Sequence, residues 1–153
     1  MDISKYVIAC FIAGSVSVAS AADVAPADVV FTDDTMVENS LTGAAGDAVR
    51  GREIFSNRKQ GNCLACHVNE QIPELGFHGE VGPPIDGVAD RYSVSEMRAI
   101  LVDSKKALSE DTIMPGFYSL DLGIRVLKKF SGKTVLTASQ VEDVLAYLTT
   151  LKE

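Results

Sequence analysis

The chain has 153 residues, enough for one domain with a single modest core. Its composition, 46% apolar and 23% charged, is that of an ordinary globular protein and not of a disordered or fibrous chain. Fourteen Lys and Arg against 21 Asp and Glu give a net charge of −7. This argues against nucleic acid or an anionic membrane as the main partner, because neither attracts a net anion.

The first 21 residues have the pattern of an export signal. Lys5 precedes an apolar run, and Ala19, Ser20 and Ala21 form an A-x-A cleavage site. The run is too short and too rich in small residues for a stable membrane anchor. We therefore expect a periplasmic protein, cleaved after Ala21, that keeps two of its three cysteines.

Residues 22–45 form an acidic leader. No Lys or Arg occurs between Lys5 and Arg50, and such segments are commonly solvated and disordered. The apolar stretch VVFT at 29–32 favours a second interpretation, in which the leader docks on a partner protein.

The stretch GDAVRGREIFSN predicts the first helix of a domain that spans residues 46–153. Asp47 is a plausible N-cap, and Ala48, Gly51 and Phe55 share one face. Because Gly51 has no side chain, a C-terminal helix could cross closely at this point.

The stretch GNCLACHVNE places Cys63, Cys66 and His67 within five residues. A thioredoxin-like redox disulfide needs a βαβ unit, and no β-branched runs alternate with helices here. A structural zinc ion needs two further ligands, and the spacing to His78 fits no common zinc pattern. C-x-x-C-H is instead the attachment signature of c-type haem.

The spacing of the motif suits one porphyrin. Thiols at i and i+3 on a helical turn can reach its two vinyl groups and form thioethers, and His67 then presents a neutral imidazole to the iron. We therefore predict one haem c held covalently by Cys63 and Cys66, with His67 as an iron ligand.

The segment VGPPIDGV at 81–88 predicts a rigid, non-helical loop. Pro83 and Pro84 fix φ, while Gly82 and Gly87 permit unusual dihedral angles. Backbone of this kind can offer a carbonyl to the Nδ1–H of His67 and so orient the ligand.

A second axial ligand is expected from a later loop. Met114 lies in DTIMPGF, which is closed by a proline and a glycine and has no helical periodicity. His78, in another loop, is the alternative. Met36 lies in a polar stretch, and Met97 belongs to a helix that opens with an S-x-x-E capping box at Ser93 and is expected to be core.

The last helix is predicted in LTASQVEDVLAYLTTLKE. It opens with a T-x-x-Q capping box at Thr137 to Gln140. Its apolar stripe comprises Val141, Val144, Leu145, Leu148 and Leu151, with Tyr147 beside it.

Together these motifs resemble class I cytochromes c over about residues 46–153. The resemblance rests on CLACH, Gly51 with Phe55, the G-P-x-x-x-G of residues 82–87, Met114-Pro115 and the closing DVLAYL. It implies an all-α fold around one haem c, with thioethers at Cys63 and Cys66 and iron ligands His67 and Met114. It also implies that the loop containing Pro83 carries the carbonyl that orients the histidine.

A closer resemblance is to the monohaem subunits of the cytochrome pair in the bacterial sulfur-oxidation (Sox) system. It is carried by GREIFSNRKQGNCLACH, HGEVGPPIDGV and DTIMPGFYSLD, together with the leader. The resemblance implies a SoxA-like partner whose haem carries the catalytic cysteine, and joint coupling of thiosulfate to a cysteine of a sulfur-carrier protein. This chain would pass the electrons to a small soluble cytochrome c or a similar acceptor, with no catalytic residue of its own.

Two other functions remain open from the sequence. A free-standing cytochrome c could shuttle electrons between respiratory complexes in the periplasm. A haem enzyme or gas sensor could use an open sixth position at the iron.

Overall fold

The architecture, described for residues 22–153 of a computed structural model, is helical, as predicted. The α-helices are α1 (Ala48–Ser56), α2 (Val88–Arg91), α3 (Val94–Val102), α4 (Ser104–Ala107) and α5 (Ala138–Leu148). Short 3₁₀ turns lie at Pro26–Asp28, Cys63–Ala65 and Lys128–Phe130. Within these residues, the extended pairing is limited to one isolated bridge between Thr32 and Met36.

Side-chain caps start the three longer helices where the sequence predicted them. The Asp47 carboxylate accepts hydrogen bonds from the backbone N–H groups of Val49 and Arg50, at 2.9 and 3.0 Å. Both predicted capping boxes are present, at the starts of α3 and α5. These side chains satisfy N–H groups that have no partner within the helix, which explains why each helix begins there.

Two details of the helices differ from the sequence-based expectation. Helix α5 ends at Leu148, although the apolar stripe continues to a buried Leu151. Helix α4 was not predicted, and it is initiated by the Asp103 carboxylate, which accepts a hydrogen bond from the N–H of Lys106. Its four residues show too little periodicity for a sequence signal.

Helices α1 and α5 cross at Gly51, as predicted. A Cβ atom at this position would overlap the backbone carbonyl of Asp143, so only glycine permits the approach. The rings of Phe55 and Tyr147 pack edge to face beside it, with their centroids 5.5 Å apart. The predicted stripe is buried, with Val141, Val144, Leu145 and Leu148 in α5 and Leu151 after it, and so is Tyr147 beside the stripe.

Replacing Gly51 with alanine should lower the free energy of unfolding by about 3 kcal/mol or more, because a backbone carbonyl cannot move aside as a side chain can. Urea unfolding of the holoprotein measures this loss. Gly76→Ala is the matched control, since a Cβ at Gly76 meets no atom within 4 Å. Equal stability of Gly51→Ala and Gly76→Ala would contradict the close crossing.

The acidic leader packs on the helical domain of the same chain. Val37 and Leu41 are buried in the core, and the N–H of Val37 donates to the carbonyl of Ser95 at 3.0 Å. Of the stretch VVFT, Val29 and Phe31 pack against the core and Val30 remains exposed. The two side chains that suggested docking on a partner therefore already have an intramolecular packing site.

A buried ion pair fastens this leader to the helices. Arg98 of α3 donates from Nε to the carboxylate of Glu142 in α5 at 2.9 Å, and one of its terminal nitrogens donates to the carbonyl of Val37 at the same distance. The same carboxylate accepts the N–H of Leu41, also at 2.9 Å. One pair of charges thus joins three segments that are far apart in sequence.

The predicted export signal, with Lys5 and the cleavage site after Ala21, lies outside the described residues. Within 22–153, no helix combines the length and apolar character that are needed to cross a bilayer.

Candidate haem-binding site

The C-x-x-C-H motif forms one tight turn. The backbone N–H groups of Cys66 and His67 both donate to the carbonyl of Cys63, at 3.1 and 3.0 Å. Asn62, with a left-handed φ of 51°, turns the chain into this segment. The turn therefore places the two thiols i and i+3 on one helical turn, as haem attachment requires.

The two thiols are not joined by a disulfide. Cys63 is half-buried, with its side chain packed against the core, and desolvation raises the pKa of its thiol to about 12. A redox-active dithiol needs the opposite, a lowered pKa that supplies thiolate at neutral pH. The thiol of Cys63 is therefore not placed to act as the nucleophile of such a pair.

The zinc alternative depends on how possible metal-ligating side chains are grouped. Among residues 22–153, no three or more His, Cys, Asp or Glu side chains converge as metal ligands. The motif itself supplies two sulfurs and one imidazole, one ligand short of a closed tetrahedral site.

The segment from Gly79 to Ile85 runs alongside the motif and is bonded to it. The N–H groups of Gly79, Gly82 and Ile85 donate to the carbonyls of Leu64, Cys66 and Val68, at 2.8, 2.8 and 2.9 Å. Three backbone hydrogen bonds thus fix the loop against the turn that carries the thiols.

Gly82 allows this loop to pass directly over the imidazole of His67. A Cβ at Gly82 would lie 2.6 Å from Nδ1 of the ring, far inside contact distance. The sequence suggested that Gly82 and Gly87 both permit unusual dihedral angles. Gly87 does so, with a φ of 66°, whereas Gly82 is required for space and has no positive φ.

The close passage brings the carbonyl oxygen of Pro83 to 2.7 Å from Nδ1 of His67. A carbonyl can only accept, so Nδ1 carries the proton and Nε2 keeps its lone pair. Among the described residues, Nε2 has no hydrogen-bond partner. The imidazole is therefore held in the tautomer that binds a metal through Nε2.

Met114 lies on a separate loop that is fastened to the end of α3. Its carbonyl accepts a hydrogen bond of 2.5 Å from Oγ of Ser104, a fully buried residue of α4. After it, the N–H groups of Phe117 and Tyr118 donate to the carbonyls of Leu101 and Val102, at 2.9 and 3.1 Å. The thioether is thus half-buried against the core on a well-anchored backbone.

The surroundings of the other candidate ligands differ from one another. Met97 is 3% exposed and belongs to the core, as predicted. His78 lies beside the motif, where its Nδ1 accepts the N–H of Asn69 at 3.3 Å. Its Nε2 is buried and has no partner within the described part of the chain. Met36 belongs to the leader, where its carbonyl accepts the N–H of Thr32.

The donor set fits a covalently attached haem. It offers two thiols on one turn, an imidazole with a free Nε2 and a half-buried thioether on another loop. Large apolar side chains are exposed on both loops, Phe77 and Val81 after the motif and Ile113 next to Met114. Such side chains suit the faces of an apolar macrocycle.

Sequence reasoning missed one residue of this arrangement, Ser104. A lone serine after an apolar helix carries no signal, and only the fold shows that its hydroxyl reaches a carbonyl ten residues away.

Comparison with known proteins agrees with a site for covalently attached haem. The family model for cytochrome c matches residues 48–152. A chain in the crystal structure of SoxXA from P. pantotrophus is 40% identical, with a TM-score of 0.79, and the match covers 86% of this chain and 100% of that one. No relative among curated proteins matches significantly. The resemblance to the Sox cytochromes is confirmed, and the chain belongs to the cytochrome c family, whose members carry covalently bound haem c.

Proposed function

We propose that this chain is the electron-transfer subunit of a SoxXA-type complex and carries one haem c. Cys63 and Cys66 would hold the haem through thioethers, and His67 and Met114 would be its axial ligands. The observation that supports the assembly is the 40% identity to a chain of SoxXA. The observation that supports the ligation is the 2.7 Å contact between His67 Nδ1 and the Pro83 carbonyl, which leaves Nε2 free. When bound, the haem supplies a one-electron iron couple.

The protein's part in this function is to hold two ligands in place. The Pro83 carbonyl orients the imidazole and makes it a stronger donor. The thioether of Met114 is a soft ligand that favours ferrous iron and raises the reduction potential. Because His67 and Met114 both lie on anchored loops, they would hold the haem with little rearrangement between its two oxidation states.

The assembly follows from the similarity to SoxXA. A SoxA-like cytochrome would be the stable partner in a heterodimer, and its haem would be the site of thiosulfate coupling to the cysteine of a sulfur-carrier protein. The pair would act as an L-cysteine S-thiosulfotransferase, to which this chain contributes no catalytic residue. It would accept the electrons and pass them to a small cytochrome c, in the periplasm after cleavage behind Ala21.

Co-expression in a periplasm with a SoxA-type cytochrome tests the proposal. We expect a one-to-one complex that stays together through size-exclusion chromatography, with one covalent haem on this chain by mass spectrometry. Cys63→Ser with Cys66→Ser should leave this chain without covalent haem. A monomeric, low-spin cytochrome that never binds the partner would favour the free-standing electron shuttle. A high-spin haem that binds carbon monoxide at once would favour the enzyme or sensor.

A further inference from the structure

We infer that the acidic leader holds the Met114 loop, residues 108–118, in place and that Tyr118 is the positioning residue that joins the two. The inference rests on the proposed function, because it concerns how firmly the proposed axial ligand is held. Tyr118 follows Met114 by four residues and acts through the backbone of the loop. It is not itself a ligand.

Tyr118 ties the end of the Met114 loop to the leader. Its side chain is buried, and its hydroxyl donates to the carbonyl of Val24 at 2.7 Å. Burial raises the pKa of the phenol, so the hydroxyl keeps the proton that it donates at neutral pH. Its backbone N–H donates to the carbonyl of Val102, at the end of α3, at 3.1 Å. The residue is thus bonded on one side to α3 and on the other to the leader.

The acceptor in the leader is itself fixed in the fold. The N–H of Val24 donates to the carbonyl of Leu41 at 2.7 Å. Leu41 is buried, and its own N–H donates to the carboxylate of Glu142 in α5 at 2.9 Å. The hydrogen bond from Tyr118 therefore connects the Met114 loop to the buried ion pair that fastens the leader.

A second contact of the leader lies on the other side of Met114 in the sequence. The ring of Phe31 packs against the core, and Nζ of Lys106 in α4 lies 4.4 Å from its centroid. Lys106 also pairs with Asp34 of the leader, at 3.2 Å. The same short helix includes Ser104, whose hydroxyl donates to the carbonyl of Met114. The leader therefore contacts the chain both before and after the proposed ligand.

These contacts stabilise the closed position of the Met114 loop. A thioether that leaves the iron carries its loop with it, and that movement breaks the bond between Tyr118 and Val24. The hydrogen bond therefore lowers the free energy of the closed loop and not that of the open one. A competing ligand for the iron reports this difference, because its apparent affinity is proportional to the open fraction.

The experiment is an imidazole titration of the ferric holoprotein, followed by loss of the weak far-red absorption band of methionine-ligated haem. Tyr118→Phe removes the hydroxyl and keeps the ring. We expect it to bind imidazole about fivefold or more tightly than the wild type, as the loss of roughly one net hydrogen bond implies. Hydrogen exchange of the Tyr118 amide, measured by NMR, should speed up by a similar factor.

Phe31→Ala tests the contact from the leader side. It removes the ring beside Lys106 and should also raise the imidazole affinity. Val30→Ala is its matched control, because the neighbouring side chain is exposed and should leave the affinity unchanged. Wild-type imidazole affinity in either Tyr118→Phe or Phe31→Ala would overturn the inference.

Tyr147→Phe is the matched control for Tyr118→Phe. Tyr147 is also buried, and its hydroxyl accepts a hydrogen bond from Nδ2 of Asn69 at 2.8 Å, but this bond joins α5 to Asn69 and not to the leader. The variant should lose stability in urea and keep the wild-type imidazole affinity. An equal gain of affinity in the two variants would overturn the inference, because general destabilisation would then explain both.

Failure of the proposed ligation has a different signature. A wild-type ferric protein without the far-red band would refute ligation by Met114. Exchange of the Tyr118 amide in Tyr118→Phe does not depend on the band and still tests the hold of the leader on the loop, so the two failures are distinguishable.

Discussion

Met114→Ala is expected to lower the reduction potential by roughly 0.1–0.3 V, part of the ~0.8 V range that axial ligands span. Loss of the thioether removes the soft ligand that favours ferrous iron and leaves water or another hard donor in its place. The weak far-red absorption band of methionine-ligated ferric haem should vanish at the same time. Redox titration and the visible spectrum of the purified holoprotein measure both effects.

Met97→Leu is the matched control for this substitution. Met97 is buried in α3, away from the Met114 loop in sequence, and leucine conserves its volume. It should keep the potential and the far-red band and cost less than about 1.5 kcal/mol of stability. If Met114→Ala keeps the band and the potential, methionine ligation by Met114 is wrong, and His78→Ala becomes the next substitution to measure.

Arg98→Met is expected to lower the free energy of unfolding by about 3–5 kcal/mol, because it leaves the Glu142 carboxylate buried without its cation. Arg98 and Glu142 are 7% and 4% exposed, so water cannot take over the role of the guanidinium. The carbonyl of Val37 loses its donor as well, which should release the leader. Urea unfolding gives the energy, and hydrogen exchange of the Val37 and Leu41 amides reports the release.

Two further variants test whether the loss of stability in Arg98→Met comes from leaving a charge buried or simply from breaking an ion pair. Glu74→Gln breaks the exposed pair between Arg52 and Glu74 and should have no measurable effect, since exposed pairs are well solvated. Arg98→Met combined with Glu142→Leu should regain part of the lost stability, because no charge then remains buried. A loss in Arg98→Met as small as that in Glu74→Gln would show that the pair does not hold the leader.

The helix starts could be predicted because their causes are local. The side chains of Asp47, Ser93 and Thr137 bond to amides two or three residues away, so spacing along the chain is enough to find them. The turn that presents Cys63, Cys66 and His67 is local for the same reason. The crossing at Gly51 was predictable because a glycine within an apolar helix face has few other uses.

The leader was not predictable from its composition. Its acidity suggested a solvated segment and its apolar stretch VVFT suggested docking on a partner. Instead, Arg98 and Glu142 bind its backbone from positions 44 residues apart in the sequence. No local pattern marks a charged residue that will be buried with a partner so distant. Burial of Val37 and Leu41 became evident only from the packed helices.

By itself, the sequence determined the helical class, the candidate haem-attachment motif and the choice of Met114 as candidate ligand. The tertiary structure decided how the candidate ligands are held: Gly82 lies against the imidazole, the Pro83 carbonyl meets Nδ1, and Ser104 bonds to the Met114 loop. The physical reason is the separation along the chain over which each interaction acts. Capping acts within one turn of the chain, whereas these contacts join side chains to backbone groups that only folding brings within hydrogen-bond distance.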